Sequence, residues 1–247
     1  ALGVKRALIG IEKNKPDAIE RIAAALPSDL DAEVMPLTVK YPQGAEKMLI
    51  KAVLGREVAP GKLPLHSGVV VQNVASVATI AEVFETGLPL IERIVTVTGR
   101  GVKRPANLIV PVGTRLRDLL DACGGLTEDA REIVNGGPMM GMAQANIDAP
   151  VVKGTTGIVV LTGSEVKQRQ SYPCIRGGHC LDACPVFLNP QLLGKLAQSG
   201  RYADMANGAH LWDCMLCGCC SYVCPSNIPL SQLFAVARNQ LKRLPPQ

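Results

Sequence analysis

The stretch Cys214–Pro225 reads Cys-Met-Leu-Cys-Gly-Cys-Cys-Ser-Tyr-Val-Cys-Pro. It contains the complete C-x2-C-x2-C-x3-C-P spacing of bacterial ferredoxins, in which cysteine thiolates hold [4Fe-4S] clusters. Three thiolates on one tight loop can each reach a different iron of one cubane, whereas the fourth, directly before proline, ligates the other cluster of a two-cluster protein. The stretch therefore predicts an iron–sulfur domain that contains a second motif.

The second motif lies upstream and is incomplete. The stretch Cys174–Pro185 reads Cys-Ile-Arg-Gly-Gly-His-Cys-Leu-Asp-Ala-Cys-Pro, so Gly177 stands where the spacing requires the second cysteine. Because the fourth cysteine of each motif crosses to the other cluster, the two motifs predict two unequal ligand sets. The predicted ligands are Cys174, Cys180 and Cys224 for cluster one, and Cys184, Cys214, Cys217 and Cys220 for cluster two.

The missing cysteine leaves three outcomes open for cluster one. It is a [3Fe-4S] cluster, a [4Fe-4S] cluster with one iron bound by water or hydroxide, or a [4Fe-4S] cluster with a substitute ligand such as His179 or Cys219. His179 is two residues out of register with the missing cysteine. Cys219 is expected to remain a thiol beside cluster two.

Zinc is the alternative metal, since structural zinc sites also use paired C-x2-C units. Such sites seldom carry the third cysteine and the terminal Cys-Pro in both runs, so the spacing favours iron–sulfur clusters. A disulfide framework is not expected, because clustered cysteines in a reducing compartment usually bind metal.

The composition of the 247 residues bounds the function classes. This length suits two or three compact modules, and hydrophobic residues make up 47% of it. No stretch approaches the ~20 apolar residues that span a bilayer. Lysine and arginine number 26 against 21 acids, and this net charge of +5 is too mild and dispersed to predict nucleic-acid binding. Aromatic residues make up only 3%, which removes the stacking platforms of single-strand binders.

The amino-terminal part predicts a parallel α/β sheet. A strand within Val4–Ile11, a helix that begins near Pro16, and a strand at Ala32–Leu37 form a strand–helix–strand succession. The run Gly68–Asn73 predicts another buried strand, which would put Asn73 at the ligand-binding edge of the sheet. Because the first strand has no preceding element to pair with, we expect the chain to be a fragment.

The middle of the chain predicts a compact β-grasp module. Strands at Ile91–Thr98 and Asn107–Val110 precede a short helix at Thr114–Ala122, and a further extended run occupies Val151–Leu161. The polar segment Ser164–Tyr172 predicts a linker. After it, predicted helices between and beyond the two cysteine motifs indicate a helical ferredoxin domain. The expected boundaries are 1–89, 90–145, 146–170 for the return strand and linker, and 171–247.

Five stretches together resemble the C subunit of the Rnf electron-transport complex. They are Ile9–Pro16, Lys40–Lys47, Val70–Val74, Gly136–Gly141 and Cys217–Pro225. The resemblance spans nearly the whole chain. The first two-fifths also resemble the flavin-carrying, NADH-binding subunit of respiratory complex I, and residues 90–145 resemble its soluble-ligand-binding β-grasp (SLBB) domain. The implied fold class is α/β and α+β multidomain, with a partial parallel α/β domain, an SLBB-like β-grasp domain and a helical two-cluster ferredoxin domain.

The resemblance also implies a function and a place in the cell. NADH would reduce a bound FMN, and electrons would pass through the two clusters to other subunits of a membrane complex that reduces ferredoxin and moves ions. The protein would lie peripherally at the cytoplasmic face of the cell membrane. The implied flavin and nucleotide residues are Glu12, Asn14, Gly44, Glu46, Gln72, Asn73 and Ser76.

Two departures from the family pattern limit these implications. The glycine-rich flavin loop of the family lies upstream of Ala1, so we expect part of the FMN and NADH site to be missing from this chain. Gly177 stands where the family pattern has a cysteine, so cluster one lacks one of the family's cysteine ligands. Two rival functions are a cobalamin reductase of similar architecture and a truncated, non-catalytic module that relays electrons or binds a small ligand.

Overall fold

The computed structural model describes residues 4–166 and 170–243, and the chain divides into two compact units, Ala1–Gln72 and Asn73–Gln247. In the first unit, the elements are β1 (Ala7–Glu12), α1 (Pro16–Ala25), β2 (Ala32–Leu37), α2 (Glu46–Leu54) and a 3-10 helix (Pro64–Ser67). Strands β1 and β2 pair in parallel, from Ala7 opposite Ala32 to Glu12 opposite Leu37. The predicted strand–helix–strand succession is therefore confirmed.

Helix α1 begins with Pro16 and carries Asp17 in its first turn, where proline lacks only an unpaired N–H and an acid meets the positive end of the helix dipole. Helix α2 packs on β1 at Gly10. A Cβ on Gly10 would lie 2.8 Å from Leu49 Cδ1, so only glycine allows this close approach without a shift of Leu49.

The predicted strand at Gly68–Asn73 is wrong. Within the described residues the small sheet contains only β1 and β2, and residues 69–73 form no ladder with another strand. Val70 is 48% exposed, so the apolar run is not buried on both faces as a central parallel strand requires. Asn73 instead caps helix α3 (Val74–Thr86), because its side-chain oxygen accepts a hydrogen bond from the Ala75 amide at 2.9 Å.

A five-stranded mixed sheet follows α3 in the second unit. Its elements are β3 (Glu92–Thr98), β4 (Ala106–Pro111), α4 (Leu116–Ala122), β5 (Ala130–Asn135), β6 (Met142–Ala143) and β7 (Gly157–Thr162). The strand order is β4-β3-β7-β5-β6, and only β3 and β7 pair in parallel. Val95 and Val97 alternate with exposed neighbours along β3 and pack against Leu116, Ile158 and Val160 in one core.

Strand β7 lies in the middle of this sheet. It comes from the extended run at Val151–Leu161, which was predicted to follow the β-grasp module, and it joins β3 to the β5–β6 pair. The β-grasp sheet therefore draws a central strand from beyond residue 145. The predicted linker at Ser164–Tyr172 lies partly outside the described residues, since 167–169 are not described.

The cluster domain is helical, as predicted. Its elements are α5 (His179–Asp182), α6 (Pro190–Gln198), α7 (Tyr202–Asn207), a 3-10 helix (Leu211–Asp213), α8 (Cys219–Tyr222) and α9 (Leu230–Arg243). Helices α6, α7 and α9 surround a core of Leu193, Met205, Leu211, Phe234 and Ala237. No helix among residues 4–166 and 170–243 is both long and apolar enough to span a bilayer.

Candidate functional site

The two cysteine segments, 174–188 and 214–228, share one backbone conformation. Each has left-handed residues at three matching places. The pairs, with their φ angles, are Arg176 (59°) and Leu216 (56°), Gly178 (78°) and Gly218 (82°), and Phe187 (53°) and Asn227 (51°). A non-glycine residue in this region costs roughly 1–2 kcal/mol. Such strain, repeated at matching positions, points to two loops shaped by the same functional requirement.

Backbone amides approach the cysteine sulfurs in the same way in both segments. The amides of Arg176 and Leu216 each lie 3.4 Å from Sγ of the first cysteine of their run, Cys174 and Cys214. The amides of Leu188 and Ile228 lie 3.3 Å and 3.5 Å from Sγ of the fourth cysteine. Amides that donate to sulfur favour the thiolate and tune the potential of a bound cluster.

The cavity of the second segment holds one predicted ligand set. It occupies about 370 Å³, counting its opening to solvent. Its cysteine lining comprises Cys184, Cys214, Cys217, Cys219 and Cys220. Cys184 comes from the first segment, so the crossover that the spacing predicts is present in the geometry. Leu188, Leu193 and Phe234 form apolar walls, and Phe234 belongs to α9.

The cavity of the first segment holds the other set. Cys174, Cys180 and Cys224 line it together with His179 and Gln191, and it occupies about 320 Å³ by the same measure. Cys224 comes from the second segment. The structure thus brings all seven predicted ligand cysteines together in the two crossed groups.

Burial raises the pKa of three thiols of the second cavity. It raises the pKa of Cys220 to about 12 and also raises the pKa of Cys214. The pKa of Cys219 rises to about 11, chiefly through burial and then through a hydrogen bond with Cys217. Buried thiols of this kind become good ligands only when a metal displaces their protons.

The donor set fits iron–sulfur clusters. Among the described residues, no three His, Cys, Asp or Glu side chains converge to hold a single metal ion. A structural zinc site needs four ligands that converge on one point. The cysteines instead line cavities, and soft thiolates spaced around such a volume are the ligands that a polynuclear cluster requires.

Arg238 and Met139 also contact this region, although neither was predicted to. The Arg238 guanidinium, from α9, donates to the carbonyl oxygens of Leu211 at 2.9 Å, Trp212 at 3.0 Å and Cys214. The Met139 carbonyl lies 3.0 Å from where a Cβ on Gly218 would be, so a turn of the β-grasp sheet packs on the second cysteine loop. The sequence offered one signal for the Arg238 contact, because Arg238 is a lone arginine within the apolar stripe of α9.

Five of the predicted flavin residues belong to the first unit. Glu12 ends β1, and the Lys15 ammonium lies 3.0 Å from the Glu12 carboxylate and 3.2 Å from the Asn14 side-chain oxygen. Gly44 and Glu46 lie at the start of α2, and Gln72 is the last residue of the unit. Asn73 and Ser76 belong to the second unit, at the start of α3. The capping bond of Asn73 gives that residue a structural role of its own.

Three family models match the chain. The Nuo51 FMN-binding domain matches residues 1–82, the SLBB domain matches residues 94–143, and the 4Fe-4S dicluster domain matches residues 170–228. The expected order of a flavin domain, a β-grasp domain and an iron–sulfur domain is confirmed.

Curated relatives match this chain over part of their longer sequences. The C subunit of the proton-translocating ferredoxin:NAD(+) oxidoreductase complex of Clostridium ljungdahlii is 46% identical over 86% of this chain and 46% of its own length. The C subunit of the Na(+)-translocating complex of Acetobacterium woodii is 43% identical over 82% of this chain and 46% of its own length. The C subunit of the ion-translocating oxidoreductase complex of Rhodobacter capsulatus is 44% identical over 98% of this chain and again 46% of its own. The chain thus spans about half the length of these relatives, and over that span it is a homologue of the C subunits of ion-translocating (Rnf) oxidoreductase complexes.

Proposed function

We propose that this chain is the electron-transferring part of a membrane-associated NADH:ferredoxin oxidoreductase complex. Electrons pass from NADH through FMN and two iron–sulfur clusters, and their flow is coupled to ion translocation. The observation that carries the proposal is the crossed arrangement of Cys184 and Cys224, because each lines the cavity of the other segment. Exchange of the fourth ligand is how two-cluster ferredoxins hold their clusters close together.

Two ligand sets follow from the proposal. Cys184, Cys214, Cys217 and Cys220 hold a [4Fe-4S] cluster, and Cys174, Cys180 and Cys224 hold the other cluster. The clusters supply the one-electron redox chemistry. The chain holds them through thiolates, aims the amides of Arg176, Leu188, Leu216 and Ile228 at the sulfurs, and keeps water from cluster two with Leu193 and Phe234.

The first unit contributes to the flavin and nucleotide site. Because β1 and β2 are parallel, their carboxyl ends lie at one edge of the sheet, the edge where open α/β sheets bind ligands. Glu12 ends β1 and Asn14 follows it, while Gly44 and Glu46 follow β2. In the whole protein, these residues together with Gln72 form part of the pocket for FMN and NADH. Asn73 and Ser76, at the start of α3 in the second unit, are the remaining flavin residues of the proposal.

The chain lies at the cytoplasmic face of the membrane and works with other subunits of the complex. Its redox partners are NADH and a ferredoxin or another iron–sulfur protein. The net charge of +5 suits an acidic partner, since complementary charge speeds the encounter of redox proteins.

Anaerobic reconstitution with iron and sulfide tests the proposal. We expect about seven or eight irons per chain, as two clusters require, and reduction by dithionite followed by rapid reoxidation by a ferredoxin. A chain that takes up neither iron nor sulfide would contradict the proposal. NADH oxidation in the presence of FMN is measured separately; its absence, with electron exchange intact, selects the relay function over the enzymatic one.

A further inference from the structure

We propose that the Nε2 atom of His179 is the fourth ligand of cluster one, in place of the cysteine that Gly177 replaces. The assignment rests on the proposed function, because it requires that the first cavity hold an iron–sulfur cluster. It selects one of the three outcomes that the cysteine spacing leaves open.

The imidazole lies beside the position of the missing side chain. A Cβ built on Gly177 has His179 Cδ2 at 3.4 Å and His179 Nε2 at 3.7 Å as its two nearest heavy atoms. These two atoms form one edge of the ring. The ring therefore presents its Cδ2–Nε2 edge to the space that a cysteine at position 177 would enter, and Nε2 is one of its two metal-binding nitrogens. His179 also lines the cavity that Cys174, Cys180 and Cys224 share.

The second segment has the same arrangement, which indicates that the backbone conformation sets the orientation of the side chain after the glycine. There, Cys217 corresponds to Gly177 and Cys219 corresponds to His179, and each pair flanks a left-handed glycine that precedes a short helix. The Cys219 side chain makes a hydrogen bond with Cys217. The residue after the glycine thus reaches back to the second ligand position in both segments, although it is two residues out of register.

His179 and Cys219 differ in size and in whether a ligand is needed from them. In the second segment Cys217 supplies a thiolate, so Cys219 is not needed as a ligand. In the first segment the second position has no side chain, and the imidazole of His179 extends farther from the backbone than a thiol does. Imidazole replaces thiolate on one iron of Rieske clusters, where the replacement raises the reduction potential. We therefore expect cluster one to have a higher potential than it would have with four cysteines.

Solvent is the competitor for this coordination position. Cys174 is exposed, so the first cavity is open to water. An iron without a fourth protein ligand would bind water or hydroxide, or would be lost to leave a three-iron cluster. The test must therefore detect the nitrogen itself.

Pulsed electron paramagnetic resonance on the reconstituted, dithionite-reduced chain makes this test. Protein labelled with ¹⁵N only at histidine is compared with unlabelled protein, which separates imidazole coupling from backbone coupling. We expect a directly bonded histidine nitrogen in the native chain, its loss in His179→Ala, and no change in His210→Asn. Gly177→Cys should also abolish the coupling, retain eight irons and lower the potential of cluster one.

The outcomes separate this inference from the proposed function. Two clusters without histidine coupling, or the signal of an oxidised three-iron cluster in the native chain, would overturn the His179 assignment and leave the proposed function intact. Absence of both clusters would overturn both. The labelled native chain and Gly177→Cys keep the test valid even if His179→Ala fails to assemble.

Discussion

The guanidinium of Arg238 lies 5.7 Å from the ring centre of Trp212 and donates hydrogen bonds to the carbonyls of Leu211 and Trp212. One side chain of α9 thereby holds α9 against the 3-10 helix that precedes Cys214. A cation over an aromatic ring contributes about 0.5–1 kcal/mol, and hydrogen bonds from a charged donor contribute about 1.5–3 kcal/mol each. Arg238 is therefore a structural support of the second cysteine loop.

Arg238→Met should lower the free energy of unfolding of the cluster domain by about 2–4 kcal/mol, since it removes these contacts while keeping an apolar stem. Trp212 is the single tryptophan of the chain, so its fluorescence in a urea titration follows this domain. Lys242→Met, near the end of the same helix, is the matched control and should change the free energy by less than about 0.5 kcal/mol. Equal effects of the two variants would contradict the role given to Arg238.

Pairs of cysteine variants should test the crossed ligand sets. Cys184→Ala and Cys214→Ala should lose the same cluster and give matching electron paramagnetic resonance spectra, although the two residues lie in different motifs. Cys174→Ala and Cys224→Ala should match each other in the same way. The physical reason is that each pair lines one cavity.

The control for the cysteine variants is Cys123→Ala, since Cys123 is buried in the β-grasp core and lines neither cavity. It should leave both clusters in place. If Cys184→Ala instead matched Cys174→Ala, the clusters would follow the sequence motifs and the crossed assignment would be lost.

Removal of iron and sulfide by a chelator under oxidising conditions should destabilise the two parts of the second unit unequally. Ligand binding to buried thiols contributes directly to folding free energy. Cys220 belongs to the core of the cluster domain, whereas the core of the β-grasp sheet is formed by other residues, such as Val95 and Ile158. Amide hydrogen exchange should therefore rise in α6 and α9 but stay within about twofold in β3 and β7. A comparable rise in β3 would show that the two cores unfold together.

The cysteine groups could be predicted because the motif spacing lies within one short segment and the cysteine before proline marks the ligand that crosses to the other cluster. Strands β1 and β2 could also be predicted, because their apolar runs flank a helix with clear start signals. The strand predicted at Gly68–Asn73 is wrong for a different reason. Its three consecutive valines have the composition of a buried strand, but a strand forms only where the edge of another strand is available to pair with it. The sequence of β7 likewise indicates a strand without indicating its place between β3 and β5.

The orientation of His179 lay beyond sequence reasoning for a related reason. Counting residues places it two positions from the missing cysteine, which argues against a ligand. Gly178 between them has a left-handed φ of 78°, and the His179 ring lies 3.4 Å from the position of a Cβ on Gly177. Spacing rules count residues along the chain and do not include a left-handed backbone residue between them.

Two glycines of the β-grasp region separate backbone strain from steric overlap. Gly99 and Gly113 have similar φ angles, 107° and 102°. A Cβ on Gly99 would lie 2.2 Å from the backbone oxygen of Val160, whereas a Cβ on Gly113 would meet no atom within 4 Å. Gly113→Ala should therefore cost only the conformational strain, about 1–3 kcal/mol. Gly99→Ala should cost about 4 kcal/mol or more, because β3 must also move away from β7, its parallel partner. Hydrogen exchange of β3 and β7 amides measures both effects, and equal protection in the two variants would show that the sheet tolerates the separation of β3 from β7.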